Sequence, residues 1–215
     1  MNLHAATIAI IAANVLVSLK GFNDNVFFDR YKFQIGPIRD GQKERMATSG
    51  FLHVDISHLL FNMLTLYFFA NVVINWFGPT KFGIIYFVSL LAGSLLALFF
   101  HKEEPFYSAV GASGAVTGIL YAAILLQPNM QLGIMFIPIP LPAYVIGIGY
   151  LLYSIYGMKN KVGNIGHTAH FGGAMGGYVT TLLFKPELLV TDTLMVALLA
   201  FPIIILFALE KMGKV

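Results

Sequence analysis

The chain contains no cysteine. Disulfides, iron–sulfur clusters, thiolate zinc sites and cysteine nucleophiles are therefore excluded together. Charge is scarce as well: 11% of the 215 residues are charged, against roughly 25% in an ordinary soluble domain. The 13 basic residues are scattered and the net charge is +3, so the basic footprint of a nucleic-acid binder is missing. No HExxH segment offers a zinc-protease site. Only Asp55 comes near an apolar run, so two membrane-embedded carboxylates for aspartyl chemistry are lacking. There is no repeat of fixed period and no low-complexity linker.

What is present is apolar surface. Hydrophobic residues make up 58% of the chain and the mean hydropathy is +0.78, more than a soluble fold of this size could keep from water. A membrane-spanning helix needs about 20 mostly apolar residues. Uncharged runs occur at 3–19, 56–77, 82–100, 105–158, 162–184 and 193–209. The fourth run has 54 residues and is interrupted by Gln127-Pro128-Asn129 and by Pro138-Ile139-Pro140-Leu141-Pro142, so it divides into two helices. The expectation is an all-α, polytopic transmembrane helical bundle in a single domain, 1–215. Six helices form a core to about 184, and a seventh lies at about 190–209. The first run lacks a basic flank and a small-residue cleavage site, and reads as a span rather than a signal peptide.

Residues 21–50 form the one long polar stretch. Charged residues including Asp24, Asp29, Arg30, Lys32 and Arg45 alternate there with Phe22, Phe27, Phe28, Tyr31 and Phe33. This mixture suits a segment lying at the membrane interface, and equally a solvated loop. With a cytoplasmic N-terminus, every basic residue except Lys81 and Lys185 falls outside, the reverse of the positive-inside preference.

Polar groups inside a bilayer are costly and mark functional candidates. Gly111-Ala112-Ser113-Gly114 opens the fourth helix and His167-Thr168-Ala169-His170 the sixth, while His53, His58 and Asn62 cluster at the start of the second. Gly114 and Gly118 in the fourth helix, and Gly173 and Gly177 in the sixth, are pairs four residues apart, a spacing that lets helix backbones approach closely in lipid. Helices two, four and six run in the same direction. If the glycine pairs face each other, Ser113 and His170 meet below one membrane face, with His58 and Asn62 at comparable depth. A nucleophile, a base and two side-chain donors are what acyl transfer requires. Each also has an ordinary role: a helix cap for Ser113, and interhelical hydrogen bonding for His170 and Asn62. His167, a turn before His170, is expected nearer the surface.

These motifs resemble the rhomboid family of intramembrane serine proteases. The resemblance rests on Gly-Ala-Ser-Gly at 111–114, Ala-His-Phe-Gly-Gly-x-x-x-Gly at 169–177, His-Leu-Leu-Phe-Asn at 58–62 and the stretch Thr48 to His53. It extends over about 45–184. It implies a rhomboid-like bundle with Ser113 as nucleophile and His170 as base. His58, Asn62 and the Ser113 backbone N–H would bind the oxyanion, and Gly111, Gly114, Gly118, Gly173 and Gly177 would support the packing. It implies transmembrane protein substrates in a lipid bilayer, no cofactor and no metal. It also implies a multi-pass protein of bacterial type in an inner (cell) membrane, with a site open to the extracytoplasmic face. The sequence departs from the family pattern in three places: Glu44 stands before Arg45 where tryptophan is usual, Asn75 replaces an acidic residue, and Thr117 replaces the aromatic that usually supports the histidine. Two other readings stay open. One is a non-catalytic relative that binds transmembrane helices, and the other a metal- or haem-binding protein using His53, His58, His167 and His170.

Overall fold

The computed structural model describes residues 3–134, 137–160, 162 and 166–214. Lys161 and the 163–165 part of the apolar run 162–184 lie outside the described residues. Helix α1 (Ala5–Asn23) is followed by α2 (Asn25–Tyr31), strand β1 (Phe33–Gln34), α3 (Ile35–Arg39), α4 (Arg45–Thr48) and a 3-10 turn, Ser49–Phe51. Then come α5 (Ile56–Phe100), β2 (Ser108–Ala109), α6 (Ser113–Leu126), the strands β3 (Gln131–Ile134) and β4 (Ile137–Pro142), α7 (Ala143–Asn160), α8 (His167–Phe184), α9 (Leu188–Thr191) and α10 (Thr193–Lys211). The protein is a helical membrane bundle.

Helix α5 is continuous only in name. Gly78 breaks it at φ +78°, with Pro79 following, so it comprises two spans that match the apolar runs 56–77 and 82–100. A left-handed residue is easily adopted by glycine alone, and proline is well placed at the first position of the new helix. Ala5–Asn23, Ile56–Phe100 and Thr193–Lys211 are long and apolar enough to cross a membrane.

Helix α1 is built for lipid outside and close contact inside. Its buried residues are Thr7, Asn14, Ser18 and Gly21, while Ile8, Leu16 and Leu19 are exposed. Asn14 Nδ2 donates to the Ile10 carbonyl at 2.9 Å and to Tyr86 Oη at 3.3 Å. Polar side chains turned to protein and apolar ones turned outward invert the soluble pattern, as a bilayer demands.

Helix α6 lies at the centre, buried at nearly every position from Gly114 to Leu126. Its 14 residues extend roughly 21 Å at 1.5 Å per residue, short of a hydrocarbon layer of about 30 Å. An end of this helix is therefore recessed from a membrane surface. Helix α8 packs on it through paired glycines: a Cβ on Gly173 would collide with the backbone of Gly114, and one on Gly177 with that of Gly118. The adjoining face of α8 meets the second half of α5, where a Cβ on Gly172 would stand 2.6 Å from the Ala92 carbonyl oxygen and 2.9 Å from the Gly93 Cα.

Segment 21–50 is folded rather than loose. β1 pairs antiparallel with β2, Phe33 opposite Ala109 and Gln34 opposite Ser108. Arg45 is buried and donates to Gln42 Oε1 and to the Asp29 and Lys32 carbonyls, all at 2.8–2.9 Å. Ser94 of α5 holds the segment from below through the Met46 carbonyl at 2.7 Å. The proline-rich divider after α6 is an antiparallel hairpin, β3–β4, with Leu132 opposite Leu141, where the sequence suggested only a helix break.

Candidate active site

The segment before α6 is held by three contacts. Gly111 takes φ +126°, and a Cβ there would come within 2.6 Å of the His58 imidazole, so the glycine serves both conformation and clearance. Its N–H donates to the Ser49 carbonyl at 3.0 Å. The next N–H, of Ala112, donates to His53 Nε2 at 3.3 Å. His53 Nδ1 lies 2.8 Å from Ser18 Oγ, and that hydroxyl donates to the Phe51 carbonyl at 3.0 Å. The hydrogen bonds fix one tautomer: Nδ1 carries the proton and Nε2 accepts. His53 sits in the short connection ahead of α5, where burial, and next the nearby His58, lower its pKa to about 3 against a weak opposing effect of Asp55. It is a neutral hydrogen-bonding post that ties α1 to the residue preceding Ser113.

Ser113 is the first residue of α6, where the leading backbone N–H groups have no intrahelical acceptor. Its Oγ lies 2.7 Å from His170 Nε2. The glycine contacts of α6 and α8 set this separation, since His170 stands three residues before Gly173 on the same helix. The other ring nitrogen, Nδ1, is 2.7 Å from Tyr150 Oη of α7. The two rings lie at 24° with centroids 6.0 Å apart. Tyr150 was not singled out from the sequence. The signal for it was Thr117, a small residue where a supporting aromatic was expected, together with a tyrosine-bearing face on the neighbouring span.

His58 and Asn62 line the same cavity as Ser113 and His170, a space of about 1050 Å³ that also includes Gly111, Gly114, Thr117 and Tyr150 on its walls. The His58 ring stands edge-on to His53 at 4.9 Å, and its backbone N–H is capped by Asp55 at 2.7 Å. Asn62 Nδ2 donates to the His58 carbonyl at 3.0 Å, leaving the second amide hydrogen of that group for another acceptor. Phe28, Lys32 and Phe33 of the folded 21–50 segment complete the rim.

His167 departs from expectation. It is buried, not near the surface, with Nε2 3.1 Å from the Val162 carbonyl and its ring edge-on to Tyr153 at 5.5 Å. It packs against α7. The four histidines of the metal-binding reading thus serve different neighbours, and among the described residues no group of three or more His, Asp or Glu side chains is placed to hold a metal ion.

Comparison with known proteins identifies a family. The Rhomboid domain family matches residues 40–187. RHOMBOID-like protein 12, mitochondrial, from Arabidopsis thaliana is 30% identical over 182 residues, covering 78% of this chain and 54% of the relative. Rhomboid protease GluP from Bacillus subtilis is 32% identical, covering 66% of this chain and 26% of the relative. Inactive RHOMBOID-like protein 8 from Arabidopsis thaliana is 30% identical, covering 67% and 39%. The chain thus spans about half the length of these relatives or less. Their names include a mitochondrial protein, so the expectation of a bacterial inner membrane gains no support from them. The chain is a multi-pass integral membrane protein and belongs to the rhomboid family.

Proposed function

We propose that this chain is an intramembrane serine endopeptidase that cleaves transmembrane helices of membrane-protein substrates with a Ser113–His170 dyad. The observation that carries the reading is the 2.7 Å contact between Ser113 Oγ and His170 Nε2 in a cavity of about 1050 Å³, at the start of a helix too short to cross a bilayer. Ser113 Oγ attacks the scissile carbonyl carbon while His170 Nε2 takes its proton. The carbonyl electrons move onto oxygen, where His58, Asn62 and the Ser113 N–H supply donors. As the C–N bond breaks, His170 returns the proton to the leaving amine. Water then hydrolyses the acyl-enzyme with His170 again as base. No Asp or Glu lies in α6 or α8, so the dyad works without a carboxylate on either helix.

A peptide bond inside a stable helix is shielded by its neighbours, so the substrate must unwind locally. Glycine or proline in the substrate lowers that cost by roughly 1–3 kcal/mol per residue. The single rhomboid domain extends over 1–215 in this reading, with α10 added to the core. The cavity is oriented with the face bearing residues 21–50 toward the extracytoplasmic side, where hydrolytic water enters.

The test is cleavage of a transmembrane peptide carrying a central Gly-Pro segment, with purified protein in detergent and in vesicles. Ser113→Ala and His170→Ala should each abolish cleavage. The double variant should lose little more than either, because the pair acts as a unit. Parental cleavage by Ser113→Ala would overturn the assignment. Binding of the peptide with no cleavage by the parent would return the chain to the non-catalytic, helix-binding reading.

A further inference from the structure

We propose that Tyr150 is the positioning residue for His170, and that Thr117 is its matched partner on the nucleophile's helix. The proposal rests on the dyad reading above. Thr117 lies one helical turn beyond Ser113 and is buried. A large ring there would fill the space beside His170. The small side chain leaves that space to Tyr150, which reaches in from α7 and meets His170 Nδ1 at 2.7 Å; Thr117 and Tyr150 line the same cavity.

Tyr150 is itself held in register. Tyr121, one turn beyond Thr117 on α6, donates its hydroxyl to the Gly147 carbonyl at 2.7 Å, three residues before Tyr150 on α7. A Cβ on Gly147 would stand 2.9 Å from Ile124 Cδ1, so α7 lies directly on α6 at this level. The Tyr121 hydroxyl and the Gly147 contact thus hold α7 on α6 one turn from Tyr150.

The chemistry assigns a task to the Tyr150 oxygen. For Nε2 to take the Ser113 proton, the neutral imidazole must carry its own proton on Nδ1, and that N–H needs an acceptor. A carboxylate is the usual acceptor, and here the phenol oxygen stands in that place. The other titratable groups facing His170 are His58 from α5 and His167 from its own helix, and neither touches Nδ1. Tyr150 therefore fixes which nitrogen faces Ser113, and the near-parallel rings fix the plane. The histidine is oriented from α7 and not from the helix that carries the serine.

Tyr150→Phe keeps the ring and removes the acceptor. It should lower kcat about tenfold, the worth of one hydrogen bond, with KM unchanged. In 15N-histidine spectra of the full chain in micelles at pH 8, the His170 signal of the parent should be that of the Nδ1–H tautomer. It is assigned by its disappearance in His170→Gln. In Tyr150→Phe it should shift toward Nε2–H. Thr117→Tyr alone should lower activity by crowding Tyr150, whereas Thr117→Tyr combined with Tyr150→Ala should be more active than Tyr150→Ala alone. An unchanged tautomer in Tyr150→Phe, with kcat within twofold of the parent, would overturn the proposal. The spectra need no turnover, so failure of the dyad reading, seen as cleavage that survives Ser113→Ala, is distinguishable from failure here.

Discussion

Gly173 and Gly114 touch backbone to backbone: no Cβ on Gly173 fits beside the Gly114 carbonyl. His170 lies one turn from that contact and Ser113 immediately before it, so the distance between their side chains is set by two residues that have none. Gly173→Val should push α8 from α6 and cost turnover on the order of 10²-fold, the effect of a displacement near 1 Å. The loss should precede any loss of fold by circular dichroism. Parental turnover in Gly173→Val would show that the close approach is unnecessary.

In the proposed mechanism His58 and Asn62 face a charge that exists only during reaction. His58→Ala or Asn62→Ala should each reduce kcat by up to about 10²–10³-fold with little change in KM, as loss of an oxyanion donor does. A variant with raised KM and parental kcat would return its residue to packing, a role Asn62 already has in part through the His58 carbonyl.

Arg45 satisfies two backbone carbonyls of the 21–50 segment from a buried position. Arg45→Ala leaves both without that donor, at about 1–3 kcal/mol for each carbonyl that water does not reach. A lower unfolding temperature and faster proteolytic nicking within 21–50 are expected. Arg45→Lys should rescue little, since a single ammonium lacks the planar fork. Equal nicking in parent and Arg45→Ala would contradict the anchoring role.

His53 predicts a pH dependence of stability. Its pKa in the fold is about 3, below the ordinary value near 6.5. The unfolded chain therefore takes up a proton that the native state refuses. Above pH 6.5 there is no penalty. As pH falls from 6.5 toward 3, this residue should remove stability at up to about 1.4 kcal/mol per pH unit. Denaturation midpoints in detergent between pH 7 and 4.5 should fall less steeply in His53→Gln. Identical slopes in parent and variant would show that His53 is not the group responsible.

Most of the bundle was legible because lipid imposes length and composition on each span. The six apolar runs, the fourth divided in two, correspond to helices once α5 is divided at Gly78. The approach of Ser113 to His170 was legible from glycine spacing, which is local to each helix. What escaped was long-range and backbone-mediated. The pairing of Phe33 with Ala109 involves strands of two residues, too short for any alternation to show. The long-range targets of Arg45, on Asp29 and Lys32, are backbone carbonyls, which carry no residue identity. The second glycine face, Gly172 against Gly93, was hidden because no glycine lies four residues from Gly93 on either side. Tyr150 is one tyrosine among several on α7, and only its distance from His170 Nδ1 sets it apart.

In the proposed function Ser113 is an activated nucleophile. Incubating the purified protein with a fluorophosphonate probe and mapping the adduct by peptide mass spectrometry tests it most directly. One adduct is expected, on Ser113, formed by the parent and absent from both Ser113→Ala and His170→Ala. Labelling that persists in Ser113→Ala, or an adduct mapped to another serine, would contradict it.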